Sequence, residues 1–151
     1  MAAAMCGPLA VLVFAAVALA VIPDKGHYTG LTDQNRAMTL NVNKKHRIKR
    51  MTIDWKAPCK KNGGTYGGST KDVDGKSDKI KQPGDGSFSD KGSYKTKPDK
   101  HNLVAHVTAT EKGTFTSGTA ANGTFEVKLR ITNKNGKTVD HCHKKVTWHI
   151  P

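Results

Sequence analysis

Residues 125–131 read FEVKLRI, so Phe125, Val127, Leu129 and Ile131 alternate with charged residues. An apolar side chain at every second position is typical of a β-strand with one buried face and one wet face. The alternation recurs at residues 38–42, 51–55, 103–109 and 146–150. We therefore predict an all-β fold, either an antiparallel β-sandwich or a partly open barrel, with a strand in each of these segments.

Turn sequences separate the predicted strands. They lie at residues 111–113 (EKG), 121–123 (ANG) and 133–136 (NKNG), and Asn-Gly between alternating segments is a strong hairpin signal. In the first hairpin, the alternation changes phase between Ile48 and Met51. This change predicts a β-bulge near Lys49 and Arg50.

The N-terminal segment is apolar. Of its first 20 residues, 18 are hydrophobic and none is charged, and the run ends in Ala18-Leu19-Ala20. This pattern predicts a signal peptide over residues 1–20, with its leader helix, followed by a secreted domain over residues 21–151. Since the positive residues that usually precede such a run are missing, the alternative is a retained N-terminal membrane anchor.

The three cysteines fit export. Removal of the leader discards Cys6 and leaves Cys59 and Cys142. Two cysteines in an oxidising compartment suggest one disulfide, and the alternative is two free buried thiols. A bridge would close a loop of about 80 residues, which the chain-entropy model values at about 4 to 5 kcal/mol.

Residues 60–100 contain few apolar side chains. The apolar residues there are Tyr66, Val73, Ile80, Phe88 and Tyr94, among many Gly, Lys, Asp and Ser. Such a segment buries too little apolar surface to order itself fully. We predict long, partly mobile loops, with short strands near Ile80 and over residues 88–94.

Several motifs together resemble a known group of proteins. These are GHYTG at 26–30, the hairpin at 38–55 leading to Cys59, GTFTSG at 113–118, GTF at 123–125, and Cys142 with Trp148 near the C-terminus. The chain resembles the small secreted β-rich proteins of high-GC Gram-positive bacteria, which are largely uncharacterised. The resemblance implies export, a disulfide and a β-sandwich, and it implies no activity. The chain departs from the group in its many lysines and in the HCH triplet at 141–143.

The charge is strongly positive. The chain carries 25 Lys and Arg against 12 Asp and Glu, a formal net charge of +13. Such an excess attracts polyanions and speeds encounter with them, although the alternative is that it only keeps the protein soluble. We predict a monomer that binds wall polyanions, acidic glycans or extracellular nucleic acid without reading base sequence. The predicted polyanion-binding residues are Lys44, Lys45, Arg47, Lys49, Arg50, Lys144 and Lys145.

Two other binding hypotheses remain open. Tyr66 and Tyr94, in or beside loops, are candidates to stack on sugar rings in a carbohydrate-binding or protein-interaction module, whereas Trp55 and Trp148 follow the apolar parity and are predicted in the core. Weak metal candidates are His141, His143 and His149. The sequence DVDGKSD at 72–78 lacks the order of a calcium-binding EF-hand loop, so we favour a solvated loop there.

No catalytic pattern is visible. A glycosidase needs two carboxylates at a fixed separation, but one of the two glutamates, Glu111, falls in a predicted turn. Ser69 lacks the spacing of a nucleophile elbow, and no cofactor fingerprint occurs. We therefore predict a protein that is not an enzyme and has no cofactor, with an uncharacterised hydrolase as the least favoured alternative.

Overall fold

The computed structural model describes residues 20–61, 63–72 and 80–151. The predicted signal peptide, apart from Ala20, and most of the 72–78 loop lie outside the described residues. The strands are β1 (Gly26–Thr32), β2 (Ala37–Val42), β3 (Ile48–Pro58), β4 (Thr65–Lys71), β5 (Ser87–Lys95), β6 (Val104–Phe115), β7 (Ala121–Thr132) and β8 (Thr138–Ile150).

The eight strands form one antiparallel sheet that curls into a half-barrel. Its strand order is β4-β3-β2-β1-β8-β7-β6-β5. The two edge strands approach each other through side chains, because Thr70 Oγ1 on β4 lies 3.0 Å from Tyr94 Oη on β5. Trp55 Nε1 donates a hydrogen bond of 2.8 Å to the same threonine hydroxyl from inside the curl. The predicted all-β antiparallel fold is thus confirmed in its partly open barrel form.

The alternation of the sequence places the core inside this curl. The apolar positions of each predicted strand, Trp55 and Trp148 among them, are buried, and the intervening polar positions face outwards. The predicted bulge is also confirmed. Asn41 pairs with Arg50 and Val42 pairs with Ile48, which leaves Lys49 as the extra residue of β3.

Two of the predicted turns are wrong. The segments 111–113 and 121–123 lie inside β6 and β7, where Gly113 pairs with Gly123. A Cβ on Gly113 would lie 2.7 Å from the Trp148 ring, and one on Gly123 would lie 2.5 Å from it. These glycines therefore make room for the indole instead of forming turns. The chain turns at 116–120 and, as predicted, at 133–136.

Two strands, β4 and β5, lie within the segment 60–100. Residues 65–71 form β4, paired with β3 from Pro58↔Thr65 to Thr52↔Lys71. As an edge strand with one neighbour, β4 is held mainly by main-chain hydrogen bonds and buries little besides Thr70. The predicted strand over 88–94 is confirmed as β5, whereas Ile80 is a buried residue beside an isolated bridge at Lys81.

The disulfide joins Cys59 to Cys142, as predicted. Cys142 lies within β8 because this strand begins earlier than its apolar residues indicate. Such a bond is typical of proteins of an oxidising compartment. Within the described ranges, we find no helix with the length and apolar character needed to cross a membrane.

The strand order gives the half-barrel two different ends. Residues 59–61, 96–103 and 133–137 lie at the end that carries the disulfide, and we call these three segments the basic end. At the other end, the N-terminal segment 21–23, the β2–β3 turn 43–47 and residues 82–88 surround an apolar cleft.

Candidate polyanion-binding surface

The predicted polyanion-binding residues do not form one patch. Lys44, Lys45 and Arg47 lie exposed in the β2–β3 turn, at the cleft end. Lys49 and Arg50 follow in the exposed bulge of β3. These five residues of the prediction are therefore brought together.

Lys144 and Lys145 lie far from that turn. β1 meets β8 at Leu31↔His149, and from this pair the β2–β3 turn and the two lysines lie about five residues away in opposite directions. Ten residues of strand span about 30 Å. The two lysines also lie on opposite faces of the sheet. Lys145 is exposed on the outer face, and Lys144 is half-buried at a position of β8 that faces the inside of the curl.

A second group of cations lies at the basic end. Three loops, separated by about 30 residues or more in sequence, meet there because alternate strand ends of an antiparallel sheet lie together. The loops carry one carboxylate, that of Asp99. Their lysines are Lys60, Lys61, Lys97, Lys100, Lys134 and Lys137, all exposed.

Backbone N–H groups donate hydrogen bonds to the carboxylates at the basic end. Asp99 Oδ1 accepts from the backbone N–H groups of His101 and Leu103, each at 2.8 Å. These bonds, chiefly that from Leu103, lower the pKa of Asp99. The buried Asp140 accepts from the N–H of Lys61 at 3.0 Å. The carboxylates thus hold the loops in shape, and the described part of the chain has no Lys or Arg ion pair at this end.

A row of basic side chains on the outer face adjoins these loops. The register places Lys95, His106, Arg130 and His141 side by side on β5, β6, β7 and β8. Directly opposite residues on neighbouring strands lie about 4.5–5.5 Å apart. We call these four residues the basic row. Lys95 and Arg130 lie on either side of His106, so an anion bound along the row can pair with both.

The pKa of His106 is affected by the positive charges of its neighbours in the row. Loss of hydration, followed by the charges of Arg130 and Lys95, lowers the pKa of His106. A guanidinium can only donate, so Arg130 donates to His106 Nδ1 at 3.4 Å and leaves Nε2–H facing Thr132 Oγ1 at 3.2 Å. His106 is therefore a neutral member of the row at neutral pH.

A cleft of about 470 Å³ connects the row to the loops. Its lining includes Lys95 and His106 from the row, Asn102 from the β5–β6 loop and Lys134 from the β7–β8 turn. Sequence reasoning missed this group. The one sequence signal for it was the lysines at 97–100, in the segment predicted as loops, and at 134–137, in and beside a predicted turn, but only the strand order shows that these loops are neighbours.

The histidines do not form a metal centre. His141 and His143 share the outer face, but His143 Nε2 donates to Glu126 Oε1 at 2.9 Å, and this oxygen also pairs with Lys128 Nζ at 3.0 Å. His149 lies six residues farther along β8. Among residues whose placement is described, no three His, Cys, Asp or Glu side chains are grouped as metal ligands would be.

The two candidate sugar-stacking residues lie in strands and not in loops. Tyr66 on β4 stacks on Trp55, with ring centroids 6.3 Å apart, and Tyr94 on β5 bonds to Thr70. Both are half-buried against the core. Burial raises the pKa of Tyr94. Most of each ring face is thus engaged inside the protein, which leaves little of it for a sugar.

Carboxylates do converge inside the curl, where the sequence predicted none. Glu111 lies in the middle of β6, directly opposite Asp90 on β5, and Asp72 is close enough to act on its charge. Burial, then Asp90 and Asp72, raises the pKa of Glu111 well above its usual value. Glu111 is 1% exposed and lines none of the clefts described, so a substrate in those clefts does not reach its carboxyl group.

No family model, curated protein or solved structure matches the chain. Its binding chemistry therefore follows from its own surface. The basic end offers a positive potential on three ordered loops, a cleft between two of them, and the basic row beside it. This arrangement suits an extended anion that binds at several points at once.

Proposed function

We propose that the protein is exported and binds anionic polymers through the basic end and the basic row, without catalysing a reaction. The observation that carries the proposal is the meeting of six exposed lysines on three loops with one exposed carboxylate. Each lysine that neutralises a charge of the polymer releases counterions, so several weak interactions add to a useful affinity. Wall polyanions, acidic glycans and extracellular nucleic acid share this chemistry.

Export is supported by two independent features. The first 20 residues have the composition of a signal peptide, and the Cys59–Cys142 disulfide belongs to an oxidising compartment. Outside the cell, phosphate-rich or carboxylate-rich polymers are the abundant polyanions. The resemblance to small secreted β-rich proteins of high-GC Gram-positive bacteria agrees with this location and adds no ligand.

The proposal is tested with random-sequence duplex DNA as a probe polyanion, because the salt dependence of its binding reports how many phosphates the protein neutralises. The test variant replaces Lys97, Lys100, Lys134 and Lys137 by Gln. We expect the slope of log K against log[salt] to become shallower by about 3 to 4, at about 0.9 for each phosphate that is no longer neutralised. Fluorescence anisotropy at four salt concentrations measures this slope.

The matched control removes the same number of charges from the β2–β3 region, by replacing Lys44, Lys45, Lys49 and Arg50 with Gln. Its slope should change by less than about 1. From the pair Leu31↔His149, these residues lie at least four residues away in one direction and His141 of the row lies eight residues away in the other, which is about 40 Å along the strands. Equal losses in both variants would mean that only net charge matters. A wild-type affinity that does not depend on salt would also refute the proposal.

A further inference from the structure

The apolar cleft at the other end of the half-barrel is a second candidate site, of a different chemistry. It has a volume of about 220 Å³, below the 300–1,000 Å³ typical of sites for drug-sized ligands. A small ligand therefore fits it better than a polymer segment. Its apolar lining comprises Val21, Ile22, Pro23, Phe88 and Phe115.

One side of this cleft is an exposed apolar residue. Ile22 is 62% exposed, the largest value among the large hydrophobic residues described. Phe88 and Phe115 form the buried side, with ring centroids 5.5 Å apart. The segment is anchored directly after Ile22, by Asp24 N–H to Gly118 O at 2.7 Å and by His46 Nδ1–H to Pro23 O at 2.8 Å.

The polar residues around the cleft are cationic or neutral. The lining is completed by Gly84, Gly86, His46, Arg47, Gln82 and Ser87, and it contains no carboxylate. Asp85, which lies between the two glycines, accepts hydrogen bonds from the N–H and hydroxyl groups of Ser87. Gln82 is fixed by bonds to both backbone groups of Ile48. Arg47 is exposed and, within the described ranges, makes no ion pair. A permanent positive charge thus lies beside an accessible apolar surface with nothing near it on the lining to neutralise it.

We propose that this cleft binds a small amphipathic anion, a single carboxylate attached to an alkyl or aryl group. The apolar group packs against Ile22 and the two phenylalanine rings, and the carboxylate pairs with Arg47, whose planar guanidinium suits a carboxylate. The site lies at the opposite end of the half-barrel from the basic end. Evidence against polymer binding would therefore not be evidence against this site.

The chain length of the ligand tests the apolar half of the proposal. Octanoate, hexanoate and butanoate are titrated into the full chain, as recovered from the cells that produce it, by calorimetry at physiological salt and below the micellar range. Each buried methylene strengthens binding by about fourfold. We expect saturable one-to-one binding of octanoate that is at least tenfold tighter than that of hexanoate. Equal affinities for the three acids, or no saturable heat, would overturn the proposal.

The head group and two variants test the charged half. 1-Octanol, which has the same chain without the charge, should bind at least tenfold more weakly than octanoate. Arg47→Gln should weaken octanoate by about tenfold and leave octanol unchanged, whereas Ile22→Asn should weaken both ligands. Arg36→Gln, which removes the same charge in the β1–β2 turn at the opposite end, is the matched control. Octanoate binding that Arg47→Gln and Arg36→Gln affect equally would refute the site.

Discussion

The two ends of the half-barrel are built from the same eight strands but differ in chemistry. At the basic end, lysine-rich loops are ordered by backbone hydrogen bonds to Asp99, Asn133 and Asp140 and are joined to the sheet by the disulfide. At the cleft end, hydrogen bonds to Asn43 and Pro23 are joined by apolar packing of Phe88 and Phe115 beneath the N-terminal segment. Both ends use hydrogen bonds, so the difference lies in what is added to them, a disulfide at one end and an apolar cluster at the other.

This difference follows from what each end exposes. Lysine side chains repel one another and bury little surface, so loops that carry them gain little from packing. The disulfide joins Cys59, the first residue of the loop at 59–61, to Cys142 within β8. It therefore ties one of the lysine-rich loops directly to the sheet.

The largest effect should come from removing this bond. Because Cys59 and Cys142 are 83 residues apart, the double variant Cys59→Ser/Cys142→Ser should lose about 4 to 5 kcal/mol of unfolding free energy. Denaturant titration measures this loss, and hydrogen exchange locates it. Amides at 60–61 should lose more protection than those at 43–47. The reverse order would contradict the contrast between the ends, and reduced wild-type protein is the control.

The next effect concerns the packing of the cleft end. Phe115 is 3% exposed, so Phe115→Ala should lower the unfolding free energy by about 3 to 4 kcal/mol through lost transfer energy and a cavity. Binding of duplex DNA, compared at a temperature where both proteins are folded, should keep its salt slope. A shallower slope in this variant would mean that the two ends are coupled.

The sequence predicts the core of the half-barrel better than it predicts either end. Alternation of apolar residues identifies the inner faces of β2, β3, β6 and β7, and with them the packing of the core. The basic end is not predictable in this way, because Lys97 and Lys134 become neighbours only through strand order. Turn signals also failed where glycine serves packing, since Gly113 and Gly123 lie under Trp148. Local patterns carry no information on which ring a glycine must accommodate.

Glu111, buried between the two ends, makes the unfolding free energy depend on pH. Its pKa is raised in the folded state, so its contribution to stability is complete below the unfolded pKa and is lost as the pH rises through the folded one. Glu111→Gln replaces the carboxyl group with a neutral amide of the same size. The variant therefore does not lose stability at this position as the pH rises. The variant should match wild type near pH 4 and gain up to about 1.4 kcal/mol over it for each pH unit above the unfolded pKa, until the folded pKa is reached, measured by denaturant titration. A constant difference at all pH values would contradict this account.

The smallest effect concerns the basic row alone. Arg130 is a secondary cause of the lowered pKa of His106, after loss of hydration. Arg130→Gln should therefore raise the pKa of His106 without restoring it fully to 6.5, because the hydration cause remains. An NMR titration of the His106 ring protons measures the shift. Lys49→Gln, at the far end, removes the same charge and should leave the titration unchanged. If both variants changed the pKa of His106 equally, the effect of Arg130 would come from the net charge of the protein. The basic row would then not be a local binding site.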